Sequence, residues 1–413
     1  MSQNCFKVYI FFCSILYINT AHSQHNHTSG SDTSISRQRD AGDVLRKLFL
    51  KNKPEKPDTV LYIPGRLYPT IFPGFGYSQL TRFTVILTVN LAFYTNHGDS
   101  ANLSVVHSGI EYSQNHQFFP FLISNIWTKG NKYNFLGDIR YFDYSSYTYG
   151  LGSVSRSENP SFFNFNFVRL YQMALKRVAP DFLLGIGYNL DYHWNIKNTS
   201  LNHTLEDDYY KYNMANKYDT TKSVSSGISL NVLFDTRRNI NNPVAGGSFA
   251  NIILRQNMTV LGSHQNWTYL YLDLRKYISF PRGSKNILAF WNFYWLTPKG
   301  NSPYFDMPSN SWDTYDNSSR NYIQGRYRGK NMLYFETEYR FAILKSGLFS
   351  GAIYANIASF SERVKNNFIS TVPNMGVSIR IKANKHSNTN LVISYGFGKD
   401  WQKGFFFNLG EVF

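Results

Sequence analysis

Hydrophobic and polar residues alternate along the chain from about Pro69 to the carboxyl terminus. In residues 82–94 every second side chain is apolar, and residues 227–235, 268–275 and 377–382 repeat this pattern. Alternation sustained over several pairs of residues predicts a β-strand with one apolar and one polar face. The chain is therefore predicted to be all-β.

About 16 segments of this kind, each followed by turn residues, divide the chain, and bacterial membrane barrels have an even number of strands. The segments are 70–79, 83–94, 100–112, 116–127, 131–143, 162–176, 181–195, 225–236, 247–260, 265–280, 284–297, 331–343, 347–359, 372–384, 388–398 and 402–413. The pattern predicts a transmembrane antiparallel β-barrel with about 16 strands.

Strand length and the polar face distinguish this barrel from an extracellular β-sandwich. Segments 131–143 and 162–176 exceed the usual soluble strand of about 5–6 residues and reach the roughly 9–11 residues that cross a bilayer obliquely. Ionised side chains such as Asp273 and Arg380 recur in the middle of the polar face, which suits a water-filled lumen. Aromatic residues cluster near strand ends, where the membrane interfaces lie.

Composition narrows the class of protein further. The longest apolar runs beyond the first 25 residues are far shorter than the roughly 20 residues of a membrane helix, and the mean hydropathy is −0.34. The 34 Phe and 31 Tyr argue against disorder. Both cysteines, Cys5 and Cys13, precede the predicted strands. The formal net charge of +16 leaves nucleic acid, anionic lipid and a charged lumen open.

The amino terminus indicates export. Lys7 precedes an apolar run at residues 8–18, and Ala21-His22-Ser23 supplies a small-x-small cleavage step, so residues 1–23 are predicted to be a signal peptide. Export argues against a nucleic-acid partner. Residues 24–60 are interpreted as a periplasmic leader and linker with one short helix near Asp43–Phe49. This segment is either an unstructured leader or a segment that enters the barrel lumen or docks on a periplasmic partner. Residues 61–413 are assigned to the barrel.

The carboxyl terminus carries a second signal. The last segment is predicted to carry on one face the apolar residues Phe405, Phe407, Leu409 and Phe413. Glu411 interrupts this face. An aromatic ending of this kind resembles the terminal signal by which outer-membrane barrels are recognised for insertion. A Gram-negative outer membrane is therefore the predicted location.

The long connection at residues 298–330 holds the most specific motif. It contains Arg320-Asn321-Tyr322, then Gly325-Arg326-Tyr-Arg328, and an Asp-Thr-Arg turn occurs earlier at Asp235. These residues resemble the C-terminal surface-antigen barrel of the BamA/TamA outer-membrane assembly superfamily. The resemblance implies a 16-stranded barrel whose long sixth extracellular loop folds into the lumen on an Arg-Gly-aromatic tip. It assigns Arg320, Asn321, Tyr322, Gly325 and Arg326 to that loop motif.

Two residues depart from the family pattern. Asn321 replaces the glycine of the motif, although Asn accepts positive φ better than most residues. Asn356 stands where the resemblance implies an aspartate that binds the loop arginine. Glu336 and Glu338 lie on the polar face of their strand, so they are the predicted partners of Arg320 in a charge-assisted pair. This pair would either pin the loop or contribute to gating.

A third departure concerns the region before the barrel. Members of the superfamily that insert or secrete proteins carry periplasmic POTRA domains, and the segment between the predicted signal peptide and the first strand is too short for one. Substrate capture would then need a partner. The expected partners are outer-membrane lipid, periplasmic or outer-membrane proteins and unfolded protein substrate.

Four functions stay open at this stage. They are outer-membrane protein assembly or polypeptide translocation, an accessory or structural subunit of an envelope complex, a barrel-embedded enzyme, and a passive pore. Neither a Gly-x-Ser-x-Gly elbow nor a His-Glu-x-x-His site occurs in the sequence. No catalytic residue, metal or cofactor is therefore expected.

Overall fold

The computed structural model describes the barrel region and one helix of the leader. The described residues are 38–49, 65–78, 81–95, 102–155, 160–200, 207–237, 239–240, 242–314, 316–362, 366–385 and 388–413. The predicted signal peptide, residues 1–23, lies outside them, as does most of the predicted leader.

Sixteen strands form one sheet. They are β1 Tyr68–Ser78, β2 Arg82–Phe93, β3 Ser104–Ser113, β4 Phe118–Trp127, β5 Tyr133–Thr148, β6 Ser161–Ala179, β7 Phe182–Asn198, β8 Ser223–Asp235, β9 Ser248–Asn257, β10 Trp267–Ser279, β11 Ile287–Lys299, β12 Met332–Ala342, β13 Phe349–Phe360, β14 Val372–Asn384, β15 Thr389–Gly398 and β16 Lys403–Leu409. Each overlaps one segment predicted from the alternating pattern, so the prediction of about 16 strands is confirmed.

Every strand pairs antiparallel with its neighbour in sequence. The sheet curves round the long connection between β11 and β12, since Tyr144 on β5 donates a hydrogen bond to Gln324 of that connection and Asn374 on β14 donates one to the Arg320 carbonyl. The two halves of the sheet therefore face each other as a barrel. Among the described residues no backbone ladder joins β1 to β16, and this gap is called the seam below.

The two faces of the sheet differ as predicted. Outward side chains are apolar and exposed, and the register aligns Ile186, Leu230 and Leu254 across β7, β8 and β9. Inward side chains on the same strands are buried and polar, and they include Asn189, Asp191, Ser229, Asn231 and Arg255. This arrangement fits an apolar surface in lipid around a polar lumen. No helix among the described residues is both long and apolar enough to cross a bilayer.

Connections of two lengths define the two ends of the barrel. One end, called the turn end, carries the connections after β4, β6, β10, β12 and β14, which are mostly short. The opposite end, called the loop end, carries the connections after β5, β7 and β11. The connection after β7 contains a helix, α2, at Asp208–Ala215.

The helix α1, Ala41–Phe49, lies where the sequence predicted a short one. Its first turn is capped reciprocally, because the Asp43 amide donates to Asp40 Oδ1 at 2.9 Å and the Asp40 amide donates to Asp43 Oδ2 at 3.2 Å. The helix docks at the turn end, where the Lys385 amide donates to Asp40 at 3.0 Å and the Arg39 amide donates to the Ser346 carbonyl at 3.0 Å. The start of α1 and the residue before it thus contact the turns after β12 and β14.

We expect the outward face to tolerate apolar residues only. Leu230 is 60 % exposed in the middle of β8, so Leu230→Arg should lower folding into lipid vesicles by about 2–4 kcal/mol, while Leu230→Ile should fold as well as the wild type. Folding is measured by heat-modifiable mobility on gels after refolding into vesicles. Equal folding of the two variants would show that this face does not contact lipid.

Candidate functional site

The connection between β11 and β12, residues 300–331, lies inside the barrel and is called the lumen loop. Its tip, Ser319–Tyr322, is buried, with Ser319 and Arg320 each 1 % exposed. The prediction of a long loop folded into the lumen is therefore confirmed. The tip faces the inner surface of β12 to β16.

Arg320 binds both glutamates that the sequence indicated. Its Nη2 donates to Glu338 Oε2 at 2.9 Å and also to Glu336 Oε1. Because the two glutamates are separated by one residue on β12, they share the inward face, and both are 0 % exposed. One nitrogen thus bridges two carboxylates, and the guanidinium lies over the Tyr354 ring with its Cζ 3.9 Å from the centroid.

The same carboxylates bind further groups on the barrel wall. Glu338 accepts a hydrogen bond from Arg340 Nε at 2.6 Å and another from Arg380. Arg380 Nε also donates to Glu411 at 2.8 Å. The ion cluster is defined as Arg320, Arg340, Arg380, Glu336, Glu338 and Glu411. It contains three cations and three anions, so the buried charge is balanced.

Asn356 does not contact Arg320 in the described hydrogen bonds. It lies opposite Glu336 in the β12–β13 register, and its Nδ2 donates to Glu336 Oε2 at 3.2 Å. Tyr334 donates to the same oxygen. Asn356 therefore helps to orient the carboxylate that binds the loop arginine.

The altered tip residue keeps the tight backbone turn. Asn321 has φ of 79°, a conformation that Asn adopts more readily than most side chains. Its Nδ2 donates to Tyr354 and to Asn374 Oδ1, the latter at 3.2 Å. Tyr322 donates to the Pro373 carbonyl at 2.6 Å and accepts from the Lys399 amide. These contacts fix the tip to β13, β14 and the connection after β15.

Two glycines let the tip approach the last strands. A Cβ on Gly398 would collide with the Tyr322 ring, and a Cβ on Gly404 would lie 2.5 Å from the Asn321 carbonyl oxygen. Any side chain at these positions would push the tip away from β15 and β16. The close approach therefore depends on glycine at both positions.

The second half of the predicted motif contacts β5 and the connection that follows it. Gly325 has φ of 77°, and a Cβ there would lie 2.9 Å from the Tyr147 carbonyl of β5. Arg326 donates to the Ser155 hydroxyl at 2.9 Å and to its carbonyl at 2.7 Å, and it stacks over Tyr149. The structure thus separates Arg326 from the ion cluster and places it against the connection after β5.

A second anchor of the lumen loop is not indicated by any motif in the sequence. Asp306 accepts a hydrogen bond from Ser225 on β8, and its Oδ1 lies 3.5 Å from His193 Nδ1 on β7. Asp191 and Arg255 form an ion pair at 2.6 Å on the adjacent wall. Burial, with the Asp191 carboxylate nearby, raises the pKa of Asp306 to about 7. The alternating pattern of the strands predicts that the wall residues point inward. It predicts nothing for Asp306, which lies in the loop.

Aromatic packing closes the loop end above this anchor. Tyr212 on α2 donates to the Ser302 carbonyl at 2.7 Å, and Tyr209 packs edge-on against Tyr304 with ring centroids 5.3 Å apart. The lumen that remains below includes a cavity of about 510 Å³. The cavity is bounded by wall residues such as His107, Glu111 and Arg140, by Asp316 of the loop and by Phe406 of β16.

The predicted insertion signal is divided between two places. Phe405 and Phe407 lie on the outward face of β16, and Phe405 packs against Tyr395 with centroids 4.7 Å apart. Leu409 ends that strand. Phe413 differs from the prediction, because Gly410 with φ of 100° ends the strand and Phe413 turns inward to 3 % exposure. Its role in insertion stays a prediction.

The described residues offer no group of three His, Cys, Asp or Glu that could hold a metal ion. Ion pairs and hydrogen bonds between the loop and buried groups of the wall hold the loop in the lumen.

Comparison with known proteins identifies the fold. No family model matches the chain, and no curated protein sequence matches it. BamA from Haemophilus ducreyi, in a crystal structure lacking POTRA domains 1–3, matches with a TM-score of 0.54 at 14 % identity, over 81 % of this chain and 67 % of that one. CdiB from Acinetobacter baumannii matches with a TM-score of 0.50 at 14 % identity, over 84 % of this chain and 59 % of that one.

These matches define the class of protein. The chain has an outer-membrane β-barrel fold of the BamA and CdiB type, and its apolar outward face suits an integral location in the outer membrane. The resemblance indicated by the loop motif is confirmed at the level of the fold.

We expect the loop tip to depend on charge balance. Arg320→Ala should destabilise the seated loop by about 3–5 kcal/mol, because it leaves buried carboxylates without their cation. Arg320→Lys keeps the charge and should cost less, and Arg320→Ala combined with Glu336→Gln should recover part of the loss. Protease cleavage of the lumen loop in the detergent-purified protein measures the effect. Equal cleavage of wild type and Arg320→Ala would contradict this role.

We expect the Asp306 anchor to weaken as pH rises. The seated loop holds the Asp306 proton up to a pKa of about 7, whereas a withdrawn loop releases it near about 3.9. Seating should therefore lose about 1.4 kcal/mol per pH unit between these values and then level off. Asp306→Asn cannot ionise, so the Tm of the wild type relative to this variant should fall between about pH 4 and about pH 7 and stay level above that. A constant difference in Tm would contradict the assignment.

Proposed function

We propose that this protein handles polypeptides at the outer membrane, either by assembling outer-membrane proteins or by translocating a polypeptide, and that it has no catalytic centre of its own. The observation that carries this proposal is the lumen loop, held by Arg320 on Glu336 and Glu338 inside a BamA-type barrel. A barrel that served only as an open pore would gain nothing from a loop that fills its lumen.

The seam supplies the first half of the mechanism. The described residues of β1 and β16 share no ladder, and unpaired backbone groups in lipid are costly. Phe405 and Phe406 lie on opposite faces of β16 and both line the lumen cavity, so the cavity reaches this strand at the edge of the sheet. An extended segment of a client protein could pair with that edge by β-augmentation.

The lumen loop supplies the second half. While the tip occupies its seat, the ion cluster and the Asp306 anchor obstruct passage along the barrel axis. Translocation through the lumen requires that Arg320 leave two carboxylates, and an unpaired buried charge is expensive. The seated loop therefore favours the closed barrel in the absence of a client or partner.

An accessory or structural role in an envelope complex is the second candidate. It is favoured by the number of independent anchors, since Arg326 on Ser155 and Asp306 on Ser225 hold the loop in addition to Arg320. A loop fixed on opposite walls suits a rigid barrel whose leader helix or loops bind other proteins. Partner proteins on the periplasmic side would then carry the activity.

Depletion of the protein in its own host tests the first proposal. We expect the levels of several unrelated outer-membrane proteins to fall if it assembles them, and one exported polypeptide to be lost if it translocates. Complementation with Arg320→Ala should restore less than complementation with Lys345→Ala, a variant in the turn after β12. Unchanged levels of all these proteins would refute the proposal, and stable co-purification with an envelope complex would then favour the accessory role.

A further inference from the structure

The chain does not end with the last strand. β16 stops at Leu409, and Gly410, with φ of 100°, redirects the backbone while its amide donates to the Asn390 carbonyl at 2.7 Å. Residues 411–413, called the tail, then enter the lumen. Val412 is 2 % exposed and Phe413 is 3 % exposed, so the tail is as buried as a protein core.

The first tail residue belongs to the ion cluster. Glu411 accepts from Arg380 Nε at 2.8 Å and from Asn390 Nδ2 at 2.7 Å, and Arg340 Nε lies 3.6 Å from it. Arg340 and Arg380 also bind Glu338, the carboxylate that holds the loop arginine. Glu411 is therefore linked to Arg320 by three consecutive ion pairs, through Arg380 and Glu338.

The charge of the cluster makes this connection consequential. With Glu411 the cluster balances three arginines against three glutamates, and without it one positive charge is left over. Arg340 and Arg380 would then draw more strongly on Glu338, in competition with Arg320. In a site excluded from water such competition weakens the loop contact directly.

The other two tail residues contact the loop and the wall. Asn317 of the lumen loop donates from Nδ2 to the Val412 carbonyl at 2.7 Å. Arg340 donates to the Phe413 carbonyl at 2.9 Å, and the Phe413 ring stacks on Trp291 with centroids 5.4 Å apart. The tail thus occupies a pocket formed by β10 to β12. The strand that precedes it in the chain, β16, lies at the seam.

We propose that the tail is a latch, which holds the lumen loop in its seat and couples release of the loop to movement of β16. A displacement of β16 at the seam pulls Glu411 from Arg380 and Val412 from Asn317, so the cluster loses its balance and the loop tip loses its seat. Conversely, the seated loop holds the tail, and through the tail it holds β16. The coupling is reciprocal because both changes act on one shared cluster.

Thiol reactivity in the purified full chain tests the latch. Ser319 is 1 % exposed beside Arg320, so Ser319→Cys reports seating of the tip, in a background with Cys5→Ser and Cys13→Ser. We expect Phe413→Ala and Glu411→Gln each to raise the rate of maleimide labelling in detergent about tenfold or more, equivalent to about 1.4 kcal/mol. The gain should be smaller for Asn317→Ala, which removes one hydrogen bond from the loop side.

Matched controls separate the latch from general loosening. Phe397→Ala removes an exposed aromatic from the outward face of β15, and Asp235→Asn removes a carboxylate that pairs with Arg237 outside the cluster. Both should label at the rate of the Ser319→Cys reporter alone. Heat-modifiable mobility shows that each variant is folded, and Asn317→Ala keeps the tail intact if Phe413→Ala does not fold.

The latch is refuted if the folded tail variants and Asn317→Ala label no faster than the reporter alone. It is also refuted if the two controls accelerate labelling as much as the tail variants do. The labelling rate does not depend on which polypeptide the barrel handles. The expected labelling rates would therefore support the latch even if depletion left all outer-membrane proteins unchanged.

Discussion

The structure depends on a buried, charge-balanced cluster in which Arg320 of the lumen loop meets Glu336 and Glu338 of β12. Removing so many charges from water is costly, and it is tolerable only where each charge finds an opposite partner and a hydrogen bond. Arg340 and Arg380 complete that requirement for Glu338. The charges of the cluster balance only when all its members are present. The loop, the wall and the tail therefore hold one another in place.

This constraint explains why the lumen is filled. To reach Glu336 and Glu338, the tip packs directly against the backbone of Gly398 and Gly404. The loop therefore contacts the strands next to the seam. The first part of the loop is held separately, because Asp306 binds Ser225 of β8 and Tyr304 packs against Tyr209 of α2. The loop is therefore a structural part of the barrel wall and a barrier across the lumen at the same time.

Most of the fold could be predicted from the sequence, because the two-residue period of a strand is a local property. Each predicted segment overlaps an observed strand, and the same period turned Glu336 and Glu338 inward toward Arg320. The exact partners were less predictable. Asn356 binds Glu336 rather than the loop. Arg326 binds Ser155 of the connection after β5, whereas Arg320, in the same motif, binds the wall at β12.

The sequence by itself determined the strands, their two faces and the inward direction of the residues that hold the loop, because all of these follow from short-range alternation. Only the tertiary structure decided which inward residues meet. Glu411 reaches Arg380, Phe413 reaches Trp291, and Asp306 reaches Ser225 across many intervening residues. Those contacts depend on the curvature and register of sixteen strands, which no local pattern encodes, and on the backbone turn at Gly410 that sends the tail inward.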